Sequence, residues 1–198
     1  MKKILSLIMC LCLIVSTFAF ANISTNAATF NDINQSSVFV KQQTNYTCTL
    51  ASAAMLVRRA SMMAGKSNWA SVTESSMRST AWVENSGLKW SFSYNGISVG
   101  HGTLSGGSGN KNTLINLLAN HPEGIVAYNG GNSNQYHAIL LTDYTNGTFY
   151  CADPAGSTSG RVAFSSSTIK GSGQDGKLAS FNAYWYVTSP KLTLSGSA

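Results

Sequence analysis

Cys48 stands where a polar stretch of the sequence gives way to a run of small and apolar residues that predicts a helix. The N-terminus of a helix presents partial positive charge and unpaired N–H groups, and both favour the thiolate form of a cysteine placed there. Gln42 lies six residues earlier, and its amide can fold back to donate a hydrogen bond to an oxyanion. The pattern indicates a nucleophile with a neutral donor, although it also suits a buried thiol.

His137 and Asp153 are the candidate partners of this cysteine. The dipeptide Asn146-Gly147 predicts a two-residue hairpin turn, so that position 140 faces 153 and position 137 faces 156. The histidine and the aspartate then lie at the same end of one hairpin, where a modest bulge or twist would bring them together. A carboxylate that orients an imidazole beside a thiol is the arrangement of a cysteine hydrolase.

The other histidines are weaker candidates for a catalytic base. His101 lies in the Gly/Ser-rich segment 100–109, which we expect to form a flexible loop that holds a base poorly. His121 precedes Pro122 at a predicted helix end, where a cation is favoured without a catalytic role. No cysteine–histidine pair has metal-ligand spacing, and the glycines do not follow a strand in a phosphate-binding pattern. We therefore expect neither a metal nor another cofactor.

The first residues are typical of a secretory signal peptide. Two lysines are followed by an apolar run from Ile4 to Phe20, and then by small residues at the spacing that a signal peptidase recognises. We expect residues 1–28 to be removed, leaving a secreted, extracellular protein without a stable membrane anchor. Residues 29–190 would form one domain, and residues 191–198 a C-terminal tail.

Cys48 and Cys151 are the cysteines that remain after removal of the signal peptide. In an exported chain they can form a disulfide, which would stabilise the fold and block the thiol of Cys48. The alternative is a free Cys48 together with a buried, inert Cys151. The sequence leaves both possibilities open.

The charge distribution argues against nucleic acid as a partner. The chain carries a formal net charge of +6, but its basic residues are scattered, and Arg58-Arg59 is the basic pair of the mature part. We expect a monomer whose partner is a peptide or protein substrate.

The elements that must position these residues predict an α+β domain. A short edge strand over 38–40 leads to Gln42, and a helix over 49–64 begins beside the cysteine. Strands over 136–144 and 148–152 carry the histidine and lead to the aspartate. Helices first and an antiparallel sheet second predict a central helix packed against that sheet. Further predicted elements are helices over 69–82 and 110–120 and strands over 125–128 and 182–188.

Three segments together resemble the bacteriocin-leader (double-glycine) peptidase family of papain-like cysteine peptidases. They are residues 42–48 with glutamine and cysteine six apart, residues 137–142 with histidine at a strand start, and residues 150–154 with Asp-Pro. The resemblance covers about residues 38 to 188. It implies a papain-like fold in a free-standing, secreted form.

The resemblance also implies a role for each matching residue. Cys48 would be the nucleophile, and His137 would act first as general base and then as general acid. Asp153 would orient the histidine, and Gln42 would donate to the oxyanion. Gln43 would take the donor role if the loop were shifted by one residue.

Thr49 departs from the family, which usually has glycine after the cysteine. The larger residue implies a narrower site, a divergent specificity, or a protein that has kept the fold and lost the activity. We predict a secreted cysteine peptidase that cleaves peptide bonds through an acyl-enzyme. One alternative is a cell-wall peptidoglycan amidase or endopeptidase, and another is a non-catalytic secreted binding protein on the same fold.

Overall fold

The structure is a computed structural model that describes residues 28–130, 136–157 and 160–195. The predicted signal peptide lies outside these residues, except for Ala28. None of the described helices is long and apolar enough to cross a membrane.

The helices are α1 (Phe30–Ile33), α2 (Cys48–Met63), α3 (Glu74–Ala81), α4 (Asn110–Asn120) and α5 (Gly173–Leu178). The strands are β1 (Trp82–Val83), β2 (Gly87–Leu88), β3 (Phe92–Tyr94), β4 (Ile97–Thr103), β5 (Ile125–Asn129), β6 (His137–Thr145), β7 (Thr148–Ala152), β8 (Val162–Ala163) and β9 (Ala183–Ser189).

Helix α2 is the central helix of the domain. Most of its residues are small or apolar, and all of them except Met62 are buried. A helix with so little polar surface is stable only inside a core, and α2 packs between the sheet and α3. The prediction of a helix over 49–64 is confirmed to within one residue at each end.

Strands β3 to β9 form one antiparallel sheet in the order β3-β4-β9-β5-β6-β7-β8. Strand β9 is the last of the described strands in sequence order, yet it lies between β4 and β5 and joins the two halves of the sheet. Strands β1 and β2 form a separate small hairpin. The predicted α+β class, with the cysteine-bearing helix packed against an antiparallel sheet, is confirmed.

The sheet separates two apolar layers. Ala138 and Leu140 of β6 lie in the layer formed with α2 and α3. Ile139 and Leu141 lie in the layer on the opposite face, which α4 and α5 cover. Because neighbouring side chains of a strand point to opposite faces, this alternation assigns each position of β6 to one layer.

The turn between β6 and β7 is the predicted one. Asn146 and Gly147 both have positive φ, at 52° and 81°, as a type I′ turn requires. Thr145 pairs with Thr148, so the register next to the turn is also as predicted.

The register then shifts by one residue at Thr142. This residue has no partner across the ladder and forms a β-bulge. Beyond the bulge, Leu140 pairs with Ala152, whereas the uninterrupted register would have paired it with Asp153.

The predicted helix over 69–82 starts too early. Residues 69–71 form a short 3-10 helix, and α3 begins only at Glu74. Thr73 and Ser76 form a capping box, in which each hydroxyl accepts a hydrogen bond from the backbone N–H of the other residue. This reciprocal cap sets the start of the helix at Glu74, five residues after the predicted start at residue 69.

The predicted flexible loop over 100–109 is wrong for residues 100–103, which belong to β4. Gly102 pairs with Tyr184 of β9, and a Cβ atom at Gly102 would overlap the tyrosine ring. The glycine is therefore present because an aromatic ring from the next strand lies across it. The glycines of β4 indicate close packing of strands.

The predicted edge strand over 38–40 is also absent. Residues 36–38 form a 3-10 helix that runs into extended chain without a partner strand in the described structure. Arg58 of α2 donates to the carbonyl oxygens of Ser37 (3.0 Å) and Val38 (3.5 Å), which takes up acceptors that a strand would offer to a neighbour.

Candidate active site

Cys48 is the first residue of α2 and is 5% exposed. The side chain of the preceding Thr47 does not cap the helix; its hydroxyl is bonded instead to the backbone of Thr44. The N–H of Ala51, which donates to the carbonyl of Thr47, opens the helical ladder. No described side chain accepts from the N–H of Cys48, so this group is available to a substrate oxygen beside the thiol.

His137 opens strand β6, and its imidazole is held by Asp153. His137 Nε2 lies 2.8 Å from Asp153 Oδ1, and both side chains are buried. The N–H of Ala155 also donates to Oδ1, at 2.9 Å, while the N–H and hydroxyl of Thr168 donate to Oδ2, each at 2.7 Å. A carboxylate bonded in this way cannot rotate freely, so it keeps a proton on Nε2 and fixes the orientation of the ring.

The second ring nitrogen of His137, Nδ1, is the one that can bond to the thiol of Cys48. Cys48 interacts with the ring of His137, and because Nε2 is bonded to Asp153, Nδ1 is the ring nitrogen that is available to the sulfur. Burial lowers the pKa of His137, but hydrogen bonds and charge from Asp153 and Cys48 outweigh it and raise the pKa to about 9. The ring is therefore protonated at neutral pH and can neutralise a thiolate.

Asp153 remains ionised across the physiological range. Burial raises its pKa, but hydrogen bonds from His137 and Thr168 outweigh the burial and lower the pKa to about 2. The structure thus brings Cys48, His137 and Asp153 together, with His137 bonded to Asp153 and interacting with Cys48, although 89 residues separate the cysteine from the histidine.

The bulge at Thr142 determines the face on which Asp153 lies. A shift of one residue moves a side chain to the opposite face of a sheet. Without the bulge, Asp153 would fall opposite Leu140, on the face that packs against α2. Strand β7 ends at Ala152, and the shifted register continued by one residue puts Asp153 opposite Ile139, which is two residues from His137 and so on the same face. His137 is the first residue of β6 and Cys48 is the first residue of α2, and the ring of His137 interacts with the thiol there.

Gln42 lies beside the aspartate, and its side chain is partly engaged. Its backbone N–H donates to the carbonyl of Pro154 at 3.1 Å, which ties the loop before Cys48 to the residue after Asp153. Its side-chain Nε2 donates to the carbonyl of Thr44 at 2.8 Å. An amide nitrogen carries two hydrogens, so one remains for an oxyanion. The role of Gln42 as an oxyanion donor stays a prediction.

Gln43 is directed toward α3. Its backbone N–H donates to the carboxylate of Glu74 at 3.0 Å, and its side-chain nitrogen donates to the hydroxyl of Ser75 at 2.9 Å. These contacts engage the side chain that would otherwise serve as the alternative donor.

A cleft of about 670 Å³ opens from Cys48. Strands β4, β5 and β9 contribute to it, together with the β1–β2 hairpin and the loop before α2. Its lining contains no lysine, arginine, aspartate or glutamate among the described residues. The lining residues are Asn45, Tyr46, Cys48, Thr49, Trp82, Ser86, Gly87, Leu88, Trp90, His101, Tyr128, Gly130, Tyr136, Asn182, Ala183 and Trp185.

Aromatic rings form much of this cleft. Trp90 stacks on His101 with the ring centroids 5.5 Å apart. Trp185 contacts the same imidazole ring in an edge-to-face arrangement, with the centroids 4.9 Å apart. Trp90 and Tyr136 are 75% and 68% exposed, so their rings are open to a ligand. Sequence reasoning missed these residues because they lie far apart in the sequence. His101 and Trp185 are brought together by the pairing of β4 with β9, which no local sequence pattern shows.

The two cysteines are both free and both buried. Cys48 packs in the layer that contains α2, whereas Cys151 packs in the layer on the other face of the sheet. Burial and the nearby Asp153 raise the pKa of Cys151, which keeps it a neutral thiol. The disulfide that the sequence left open is therefore not formed in this structure.

A family model described as the Peptidase_C39 like family matches residues 34–189, and the chain belongs to this family. The matched residues include all the segments that meet at Cys48. The match supports a papain-like fold of the C39 type and a peptidase activity of the cysteine type. No curated protein matches the chain. Within the described residues, no group of three or more His, Cys, Asp or Glu side chains is placed to hold a metal ion.

Proposed function

We propose that this member of the Peptidase_C39 like family is a secreted cysteine peptidase that cleaves peptide bonds through a thiol acyl-enzyme. The observation that carries the proposal is that Asp153 holds the imidazole of His137 by a hydrogen bond and that the same ring interacts with Cys48. It supplies a carboxylate, an imidazole and a thiol in the order that nucleophilic catalysis requires.

The first step is attack by the sulfur of Cys48 on the carbonyl carbon of the scissile peptide bond. His137 stabilises the thiolate because its ring is already protonated at neutral pH, with a pKa of about 9. Asp153 accepts the Nε2 hydrogen, so the proton at Nδ1 points toward the sulfur. The nucleophile is thus prepared before the substrate arrives.

The negative charge that develops on the carbonyl oxygen requires donors. The backbone N–H of Cys48 is one, because no described side chain occupies it, and the amide of Gln42 is the second. Removal of one such donor commonly lowers turnover about 10²- to 10³-fold.

Collapse of the tetrahedral intermediate breaks the C–N bond. The imidazolium of His137 gives its Nδ1 proton to the departing amine, and the acyl group stays on the sulfur as a thioester. Neutral His137 then removes a proton from a water molecule that attacks the thioester, which releases the acid and returns the proton to the ring.

The cleft suggests the kind of peptide that binds. It includes Cys48 but not His137 among its described lining residues. Because His137 must face the departing amine, the cleft holds the acyl side of the substrate. Its uncharged aromatic lining favours bulky, uncharged side chains there. Thr49 lines the cleft next to the cysteine and restricts the space where the family usually has glycine.

A peptide library and cell-wall zymography with the secreted protein test the proposal. We expect Cys48→Ala to abolish peptide hydrolysis with little change in the melting temperature, and Cys151→Ala, the matched control, to remain active. Hydrolysis by Cys48→Ala would reject the nucleophile. Clearing of cell walls without peptide cleavage would replace the peptidase by a wall hydrolase.

Secretion is tested by sequencing the N-terminus of the protein recovered from the culture medium. We expect it to begin near residue 29. Recovery of the uncleaved chain from the cell membrane alone would contradict this part of the proposal.

A further inference from the structure

Arg59 belongs to α2, and its charged side chain is buried in the core with no exposed surface. Its Nε donates to the carbonyl of Glu123 at 2.6 Å, and its two terminal nitrogens donate to four other oxygens. A buried guanidinium is tolerated only when its N–H groups are bonded in this way. The four other acceptors are the carbonyls of Ile33 (3.0 Å), Pro122 (3.2 Å) and Thr142 (3.3 Å) and the side-chain oxygen of Asn34 (2.6 Å).

One of these acceptors belongs to the β-bulge. The bulge residue Thr142 has no partner in the ladder between β6 and β7, so its carbonyl needs another donor. Arg59 supplies that donor. The helix that begins with Cys48 is therefore bonded, eleven residues later, to the residue that sets the register of the His137 hairpin.

The loop before β5, which contains Pro122, Glu123 and Gly124, packs closely against the backbone of the bulge. Gly124 has φ of +93°, and a Cβ atom there would lie 2.5 Å from the carbonyl oxygen of Leu141 and 3.4 Å from the Cα of Thr142. Only glycine fits this approach. The carbonyls of Pro122 and Glu123 in this loop are bonded to the same guanidinium. Arg59 thus joins the loop, the bulge and α2.

We propose that Arg59 is a positioning residue, which holds the Thr142 bulge in place and thereby keeps Asp153 on the same face of the sheet as His137. Its catalytic consequence rests on the proposed peptidase function. If the bulge relaxes, the register returns to that of the turn, and Asp153 moves to the face of Leu140. His137 then loses the acceptor of its Nε2 hydrogen, while the cleft that binds the substrate is untouched.

The test compares three variants of the mature protein with the wild type. Arg59→Lys keeps the charge, but one ammonium with three donors cannot bond to five oxygens on three segments. Arg59→Met removes every donor at similar volume. Asn34→Ala is the matched control, because it removes a partner of the same guanidinium that does not touch the bulge.

The decisive measurement is the pKa of His137 from NMR of the ring, read beside the steady-state kinetics and thermal unfolding. We expect the Arg59 variants to shift the pKa of His137 from about 9 toward the ordinary value of 6.5. We expect kcat to fall about tenfold or more with KM changed less than threefold. Asn34→Ala should lower the melting temperature alone.

Arg59 variants that melt earlier but keep the His137 titration and kcat would overturn the proposal, because Arg59 would then serve only stability. Failure of both Arg59 variants to fold would also overturn it. A wild-type protein that cleaves no peptide would reject the proposed function, yet the titration of His137 would still test the positioning role.

Discussion

The charge on the His137 ring depends on two neighbouring side chains, Asp153 and Cys48. Type and spacing in the sequence were sufficient to predict that these three residues lie together, because a thiol at a helix start and a histidine and aspartate at one hairpin end are local patterns. The aromatic lining of the cleft was not accessible in this way. Trp90, His101 and Trp185 come from three segments whose proximity depends on strand pairing across the whole domain.

Substitution of Asp153 by Asn tests the residue that orients the histidine. We expect kcat/KM to fall about 10²- to 10⁴-fold, since the amide removes the charge that holds the imidazolium. In the wild type, activity should fall as the pH rises through about 9, where His137 loses its proton. In the variant, this alkaline limb should lie at lower pH. A pH–rate profile from pH 5 to 10 measures both effects, and an unchanged alkaline limb would contradict the assignment.

Trp90 and Trp185 provide a matched pair for the cleft. We expect Trp90→Ala to raise KM about 3- to 10-fold for substrates with a bulky acyl-side residue, because the exposed ring contributes stacking without supporting the core. Trp185 is 5% exposed, and Trp185→Ala should cost about 3–5 kcal/mol of unfolding free energy. Kinetics and chemical denaturation of both variants make the comparison. An unaltered KM in Trp90→Ala would exclude the ring from substrate binding.

Among the secondary-structure elements, those with strong local signals were predicted well. The small and apolar run gave α2, and Asn146-Gly147 gave the β6–β7 hairpin. The bulge at Thr142 was not located, because Arg59, which donates a hydrogen bond to the carbonyl of Thr142, belongs to another element. The glycines of β4 were misinterpreted for a similar reason, since their partner strand β9 lies about 80 residues away.

Gly102 tests the packing of β4 on β9. We expect Gly102→Ala to destabilise the protein by about 1–3 kcal/mol, because the added methyl group would overlap the ring of Tyr184. Gly109→Ala is the control, since a Cβ atom there meets no atom within 4 Å and φ is −65°. Urea denaturation of the two variants measures the difference. Equal stability would show that the tyrosine ring moves aside without cost.

For the molecule as a whole, the buried His137–Asp153 pair links folding to pH. The raised pKa of His137 contributes stability that is fully present below pH 6.5 and is lost as the pH rises through about 9. The lowered pKa of Asp153 contributes stability that is present above pH 3.8 and is lost as the pH falls through about 2. We expect the difference in melting temperature between wild type and His137→Gln to be largest between about pH 4 and 6.5. Melting curves from pH 2 to 10 test this, and a difference independent of pH would contradict it.

The central place of β9 has a consequence for the order in which the enzyme is completed. A nascent chain that ends at residue 182 already contains Cys48, His137 and Asp153, but it lacks the strand that bridges β4 and β5. It also lacks Ala183 and Trp185 of the cleft wall. Such a chain has two half-sheets with open edges, so the cleft beside Cys48 is completed only when β9 pairs with both of them.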